Sequence, residues 1–509
     1  VPTASRLRQL RYRIKEFVVR DFSGGPNIRD AASELAANEG MDSWNVSFDE
    51  RGGVGSRLGY VKRNGLVYPG GLVQNIYYSG LLQSEVVQAG AVLYLGTSTT
   101  ACKTFTTADR VGFADFGSRL CVIHPVDGVW TSTDGITYTH VTDIHAPLGN
   151  CLFPWQNKLF CAGNPTNPAR VTWSAAGDPT TWAGTDFNEL REKDNEQVVA
   201  LAGASGVDIQ GRQGLLAFKR RSSYRIFNSA TGEYSTLDTT VGAASALSVV
   251  SIENDTFTLC EKGIFVTNGV AAEQDMGLRW LPLWDASQIN YSQLNLCCAG
   301  RRGNRAYFSL PRAASTANDL SIELIPSTGS LSPGSNAMSC YTAYGLNTEL
   351  LLGGSPTVSG QAYQLYSGGT DDGAAIPSRF QTRWFEPSGG FLTQLWQIRL
   401  QMRGAFQMAI RKDFATYDFL AQPVTQPAGG ILYDSGLHYD TGALYNDPGE
   451  QSTVPLFGWG VCRQFSLKIS ASTSTTWLGD QLFAQGPNTV HGAWALYGLN
   501  ALYMPLGWA

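Results

Sequence analysis

Ser118-Arg119-Leu120-Cys121-Val122-Ile123, followed closely by Asp127-Gly128-Val129-Trp130, is the stretch on which the fold turns. A short apolar run, a turn carrying Asp-Gly and a second short run with an aromatic read as two antiparallel strands tightly joined. The unit recurs. It appears at Ala91-Val92-Leu93-Tyr94-Leu95-Gly96, at 157–162, at 214–218 before Ser223-Tyr224-Arg225-Ile226-Phe227, and at 256–260 before Lys262-Gly263-Ile264-Phe265-Val266. Two later copies are 305–310 and Glu349-Leu350-Leu351-Leu352-Gly353, the second followed by Tyr363-Gln364-Leu365-Tyr366. Anchored on Leu93, Leu120, Leu159, Leu216, Leu259, Tyr307 and Leu351, the gaps by subtraction are 27, 39, 57, 43, 48 and 44. Most lie near the ~40 to 50 residues of one four-stranded propeller blade. The spacing predicts an all-β chain with a β-propeller of six to eight blades over 65–375, arranged around a central channel. Two stacked sandwiches of the same strand density are the alternative.

Beyond Asp371-Asp372-Gly373 the pattern changes. Trp396, Ile398, Leu400 and Met402 alternate with Gln397, Arg399, Gln401 and Arg403, and Phe465, Leu467 and Ile469 alternate with Gln464, Ser466 and Lys468. Strict alternation predicts strands with one buried and one wet face, so 376–509 reads as an antiparallel β-sandwich or platform domain. Tyr433-Asp434-Ser435-Gly436, Tyr439-Asp440-Thr441-Gly442 and Tyr445-Asn446-Asp447-Pro448-Gly449 repeat one turn chemistry inside it. Upstream of the propeller, Trp44, Val46 and Phe48 alternate with Asn45, Ser47 and Asp49. Glu50-Arg51-Gly52-Gly53 then turns the chain into 54–60. A two-stranded hairpin is marginal alone. The segment 21–64 is therefore expected to join the C-terminal domain, with the propeller inserted between two halves.

Residues 1–20 form a basic arm carrying Arg6, Arg8, Arg11, Arg13 and Lys15, with Leu7, Leu10, Ile14, Phe17 and Val18 at near-helical spacing. The arm reads either as a helix with a solvated face or as a subunit-interface arm whose arginine forks meet carboxylates on a neighbour. No aromatics interleave with its charges, as single-strand nucleic-acid stacking requires. No apolar h-region follows the arm, so an ordinary signal peptide is not expected. No run of about 18 apolar residues predicts a membrane span.

Lys+Arg 37 against Asp+Glu 42 gives a net charge of -5, which disfavours a protein that grips nucleic acid across its surface. Nine cysteines without a Cys-x-x-Cys, several inside apolar runs, read as small core residues and not as a disulfide or zinc framework. Phosphate-loop, dinucleotide, nucleophile-elbow and zincin motifs are all missing, so no enzyme activity, catalytic residue, cofactor or metal is expected. His140, Asp143 and His145 lie close together but on what reads as an exposed loop. Ser132-Thr133-Asp134-Gly135-Ile136-Thr137-Tyr138 is similar to the Asp-box hairpin of sialidase propellers, a turn that stabilises a blade and does no chemistry.

Several motifs occur in a characteristic order. Phe22-Ser23-Gly24-Gly25-Pro26-Asn27 is followed by Asn45-Val46-Ser47-Phe48-Asp49-Glu50-Arg51-Gly52-Gly53 and Arg57-Leu58-Gly59-Tyr60. Further on come Trp173-Ser174-Ala175-Ala176-Gly177-Asp178-Pro179-Thr180-Thr181-Trp182, Glu261-Lys262-Gly263-Ile264-Phe265, and Tyr366-Ser367-Gly368-Gly369-Thr370-Asp371-Asp372-Gly373. The series resembles the tail nozzle or tail hub (tubular) β-propeller proteins of short-tailed bacteriophages over most of 20–400. The resemblance implies a structural virion protein, assembled in the host cytoplasm. It would form a ring with itself, most often a hexamer, below the portal and adaptor. It would extend the DNA ejection channel, through which DNA passes without specific binding, and anchor tail fibres or spikes. A receptor-binding or glycan-cleaving tail propeller is the other reading.

Overall fold

The computed structural model describes residues 14–194, 196–207, 210–270, 273–344, 350–389, 391–415, 418, 420–425, 451–455, 461–471 and 495–507. The chain is all-β and divides into two units, 60–326 with 334–367 and 1–59 with 327–333 and 368–509.

The first of these holds seven antiparallel sheets. Five have four consecutive strands, beginning with Val73–Ser79, Gly112–Phe116, Cys151–Trp155, Val198–Val207 and Val249–Ile252. The sixth opens with Cys298–Arg302, Arg305–Leu310 and Leu320–Ile325. In the seventh, Tyr341–Ala343, Leu351–Gly354 and Gln361–Leu365 are joined by Tyr60–Val67 from the other end of the unit, with Leu365 opposite Tyr60 and Gln361 opposite Val67.

Why the second strands are continuously apolar follows from what covers them. Arg119–His124 is buried at every position after the first. Its Leu120 and Val122 pack with Val86 and Leu93 of the sheet before, while Cys121 and Ile123 pack with Leu152 and Leu159 of the sheet after. Alternate side chains point to opposite faces, and both faces are covered, so no polar alternation remains. Leu215 and Ala217 likewise join the third sheet's core, and Leu216 and Phe218 join Val249 of the fifth. Leu351 packs with Cys298 and Tyr307 of the sixth sheet, and Leu352 with Val73, Ile76 and Val87 of the first. The seventh sheet thus lies between the sixth and the first. The first strands neighbour one another in the same closed cycle, which is the arrangement of a β-propeller.

Six of the seven sequence anchors lie on second strands, and all seven are buried. Leu93 lies on the third strand of its sheet, which shortens the first gap. The long third gap is filled by the 12-residue strand Asp178–Glu189 and a one-turn helix, Glu192–Asp194. Of the glycines in the quoted turn motifs, Gly128 (φ 73°) and Gly263 (φ 147°) occupy the left-handed region. Gly369 does not: open space surrounds it, it lies in the other unit, and Gly368 takes the positive φ instead.

The described residues of the second unit hold two large sheets, each built from both ends of the chain. One runs Val46–Phe48, Val54–Ser56, Ala495–Gly507, Leu392–Arg403, Gln451–Pro455, with Lys15–Val19 also on Ala495–Gly507. The other runs Gly25–Pro26, Glu39–Trp44, Arg379–Thr382, Phe465–Ser470, Ala405–Lys412, Leu420–Thr425. The Phe380 ring stands 5.8 Å from both Phe22 and Phe48, and Phe17 stands 6.5 Å from Phe465, so aromatics from the two chain ends fill the space between the sheets.

Four expectations are corrected here. The hairpin ends at Ser56, and Tyr60 opens a propeller strand, so the units divide at 59/60 and 367/368, not at 64/65 and 375/376. Phe17 and Val18, read at helical spacing, lie on a strand. Trp396 is not among the buried residues, because a register shift between Leu395 and Gln397 moves the inward phase to Leu395, Ile398, Leu400 and Met402. Phe465–Ser470 is buried on both faces, and Lys468 sits 3.3 Å from Asp418, with burial lowering its ammonium pKa to about 8. The tyrosine-turn repeats between 433 and 449 lie outside the described residues.

At the centre of this unit, Arg57, 4% exposed, donates from Nη1 and Nη2 to Asp371 Oδ1 and Oδ2 at 2.8 and 2.5 Å, and from Nε to Asn45 Oδ1 at 2.8 Å. Breaking one side of such a pair strands a buried charge. Arg57→Ala is expected to lower stability by about 3–5 kcal/mol in chemical denaturation, and Arg57→Leu with Asp371→Leu by clearly less. A loss under ~1 kcal/mol for Arg57→Ala would disprove the assignment.

Candidate functional site

Connections that lead into the first strands of the second, fifth, sixth and seventh sheets are tied together by hydrogen bonds. Arg110, which precedes strand Gly112–Phe116 of the second sheet, reaches the segments ahead of the sixth and seventh sheets. Its Nη1 donates to the Asn295 and Cys297 carbonyls at 3.0 and 3.3 Å, and its Nη2 to those of Leu296 and Ser339 at 3.0 and 2.8 Å. Asn318 Nδ2 donates to the Leu296 and Met338 carbonyls, Ser245 Oγ to that of Cys297, and Ser339 Oγ to that of Val73. Residues of the first, second, fifth, sixth and seventh sheets or their leads are thereby held in one network. A cavity of about 260 Å³ beside it is lined by Asp109, Arg110, Asn295, Asn318 and Ser339 among others. Four carbonyls on one guanidinium make a rigid clamp, since each N–H has a fixed direction.

The motifs singled out in sequence occupy turns. Asp134 Oδ1 accepts from the Thr137 and Ile136 amides at 2.8 Å, bonds that hold its carboxyl down at about 2, and Gly135 (φ 73°) donates its amide to Ser132 Oγ. Trp173 and Trp182 are buried on adjacent strands, and Trp182 Nε1 donates to the Pro179 carbonyl. Asp143 accepts from the backbone of Trp182 and His145, fastening its loop to the third sheet. Among the described residues, no cluster of His, Cys, Asp and Glu could hold a metal ion. Eight of the nine cysteines are buried and Cys102 is half-buried; all nine are free thiols, and burial pushes Cys297 up to about 12. Of the basic arm, Lys15 is exposed and opens a strand opposite Tyr503, while Arg6, Arg8, Arg11 and Arg13 lie outside the described residues. No described helix is long and apolar enough to cross a membrane.

Two residues carried no signal in the sequence. Arg110 lies in an ordinary loop, and only the ring topology brings its carbonyl partners to it. Glu273 hides both carboxylate oxygens from solvent, and among the described residues neither finds a hydrogen-bond partner of normal geometry. Burial pushes this carboxyl up to about 8, Asp238 adds to the rise and Ser223 opposes it.

No family profile and no curated protein matches the chain. Solved structures do. A chain from the crystal structure of the mitotic checkpoint complex is 13% identical, with a TM-score of 0.41, covering 67% of this chain and 99% of its own. BBS1N, crystallised in complex with ARL6DN and soaked with mercury, is 10% identical, with a TM-score of 0.40, covering 61% and 97%.

Arg110→Ala is expected to lower the unfolding free energy by about 2–4 kcal/mol, because four acceptors lose a charged donor. An unchanged denaturation midpoint would refute the clamp. Glu273 has its folded pKa raised, so its contribution to stability is full below about 4.5 and lost as pH rises through about 8. Glu273→Gln should flatten that part of the stability–pH curve and gain more than ~1 kcal/mol at pH 8. An unaltered curve would refute it.

Proposed function

We propose that this chain is a structural virion protein, a tail nozzle or hub subunit of a short-tailed bacteriophage, and that its 60–367 unit is a seven-bladed propeller. The observation that carries the reading is where the motif residues lie. Asn45, Arg57 and Asp371, from motifs at the two ends of the series, form one buried network, and Gly59 donates its amide to the Gly368 carbonyl. The residues that carry the resemblance are thus architectural. The subunit forms a ring with itself, a hexamer. The ring sits below the portal and adaptor, carries fibres or spikes, and lets DNA pass through its lumen. Mild acidity of the chain suits a lumen wall that does not retain the phosphate backbone. Arg110 ties the lead of the second sheet to those of the sixth and seventh, which favours a DNA path between subunits over one through a propeller.

Electron microscopy of the purified full chain, alone and with a portal–adaptor complex, is expected to show rings of uniform subunit number. Deleting 1–14 should shift sedimentation towards monomer without moving the melting temperature. Monomers only, even with the portal–adaptor complex present, would overturn the reading.

A further inference from the structure

Two cavities beside the Glu261–Lys262 turn of the fifth sheet, the smaller one reaching the fourth sheet, share those two residues and so form one groove. The larger, about 570 Å³, has an apolar floor of Phe265, Leu281, Pro282 and Trp284. Leu281 is 52% exposed and its neighbour Leu278 48% exposed, on the short helix Leu278–Trp284. The smaller, about 250 Å³, is lined by Arg220, Arg221 and Lys262 beside Thr239 and Thr240. Both arginines pair with Glu261, at 2.5 and 3.1 Å, yet their side chains remain 44% and 67% exposed. Three cations against one carboxylate leave the smaller cavity positive, whereas Asp275 and Asp285 line the larger one and turn a ligand's carboxylates towards the arginines. Leucines half in water beside a positive end call for a ligand that brings carboxylates and apolar anchors close together.

This chain carries such a sequence. Between 426 and 450 it has Asp434, Asp440, Asp447 and Glu450, and no lysine or arginine. Tyr433, Tyr439 and Tyr445 recur at one spacing, each followed within two residues by an aspartate, with Leu432, Leu437 and Leu444 among them. Tyrosine is a frequent interface anchor because it buries a large ring at small entropic cost.

We propose that the tyrosine–aspartate repeat at 431–447 of a second copy docks in the fifth-sheet groove. A tyrosine or leucine seats on Leu281, Pro282 and Trp284, and the following carboxylate meets Arg220, Arg221 and Lys262. The proposal rests on the ring reading only in requiring a neighbouring copy.

The test titrates a fluorescein-labelled peptide of residues 429–450 onto the full chain in which Tyr433, Tyr439 and Tyr445 are serine, so that no internal copy competes. Anisotropy should report saturable binding. It should weaken at least tenfold in Arg220→Glu with Arg221→Glu, and at least tenfold for a peptide with its three aspartates changed to asparagine. Circular dichroism melts check that the receptor variants are folded; Leu281→Ser is a second, surface-only change that should also weaken binding. No binding, or binding indifferent to all three changes, overturns the proposal. Sedimentation of the unaltered chain separates the two readings: rings without peptide binding sink the groove, and peptide binding without rings sinks the ring.

Discussion

A guanidinium and a carboxylate that lie 314 residues apart hold the two-ended unit in register. Arg57 uses both terminal nitrogens on Asp371 and turns its Nε to Asn45, which itself sits in the left-handed region (φ 53°) with its amide on the Pro333 carbonyl and its side-chain amide on that of Pro377. A buried pair is a poor source of net stability, since desolvation offsets most of the attraction. Its force lies in intolerance of mismatch. If the chain returned from its long excursion in another register, Arg57 would be buried without its partner. Gly59 enforces the same closeness sterically: a β-carbon there would stand 1.8 Å from the Thr370 carbonyl oxygen.

The ring obeys a different rule. Its strands are covered on both sides by neighbouring sheets, so its sequence shows runs such as Leu215-Leu216-Ala217-Phe218 where a half-exposed strand would alternate. That is why repeat spacing, more than periodicity, made the architecture legible. The anchors at Leu120, Leu159, Leu216, Leu259, Tyr307 and Leu351 mark equivalent strands, because each sheet needs the same fully covered second strand. Leu93 misled because it is fully buried although its strand is the third of its sheet.

Other features left no trace in local sequence. The cluster around Arg110 is made of backbone carbonyls, which every residue has, so only their convergence is informative. Lys468 looked like the wet side of a strand because burial of a lysine is rare unless a partner such as Asp418 stands beside it. Trp396 fell out of phase through a one-residue irregularity that alternation cannot report. The resemblance to phage tail proteins rested on glycines, an asparagine, an arginine and aspartates at turns. Those of them that the structure joins directly, Asn45, Arg57, Gly59, Gly368 and Asp371, act in the framework.

The seventh sheet has a consequence for the order of events during synthesis. Tyr60–Val67 leaves the ribosome before any other strand of the ring, yet its partner Gln361–Leu365 is the last to appear. At ~5–20 residues per second that delay is on the order of 15 to 60 s. For that interval the nascent chain carries an unpaired strand, and towards its end an open ring whose first and sixth sheets each lack a neighbour. Unpaired edges are templates for pairing with other chains. The period of greatest exposure to misassembly therefore falls late in translation and ends abruptly, when the last strand meets the first.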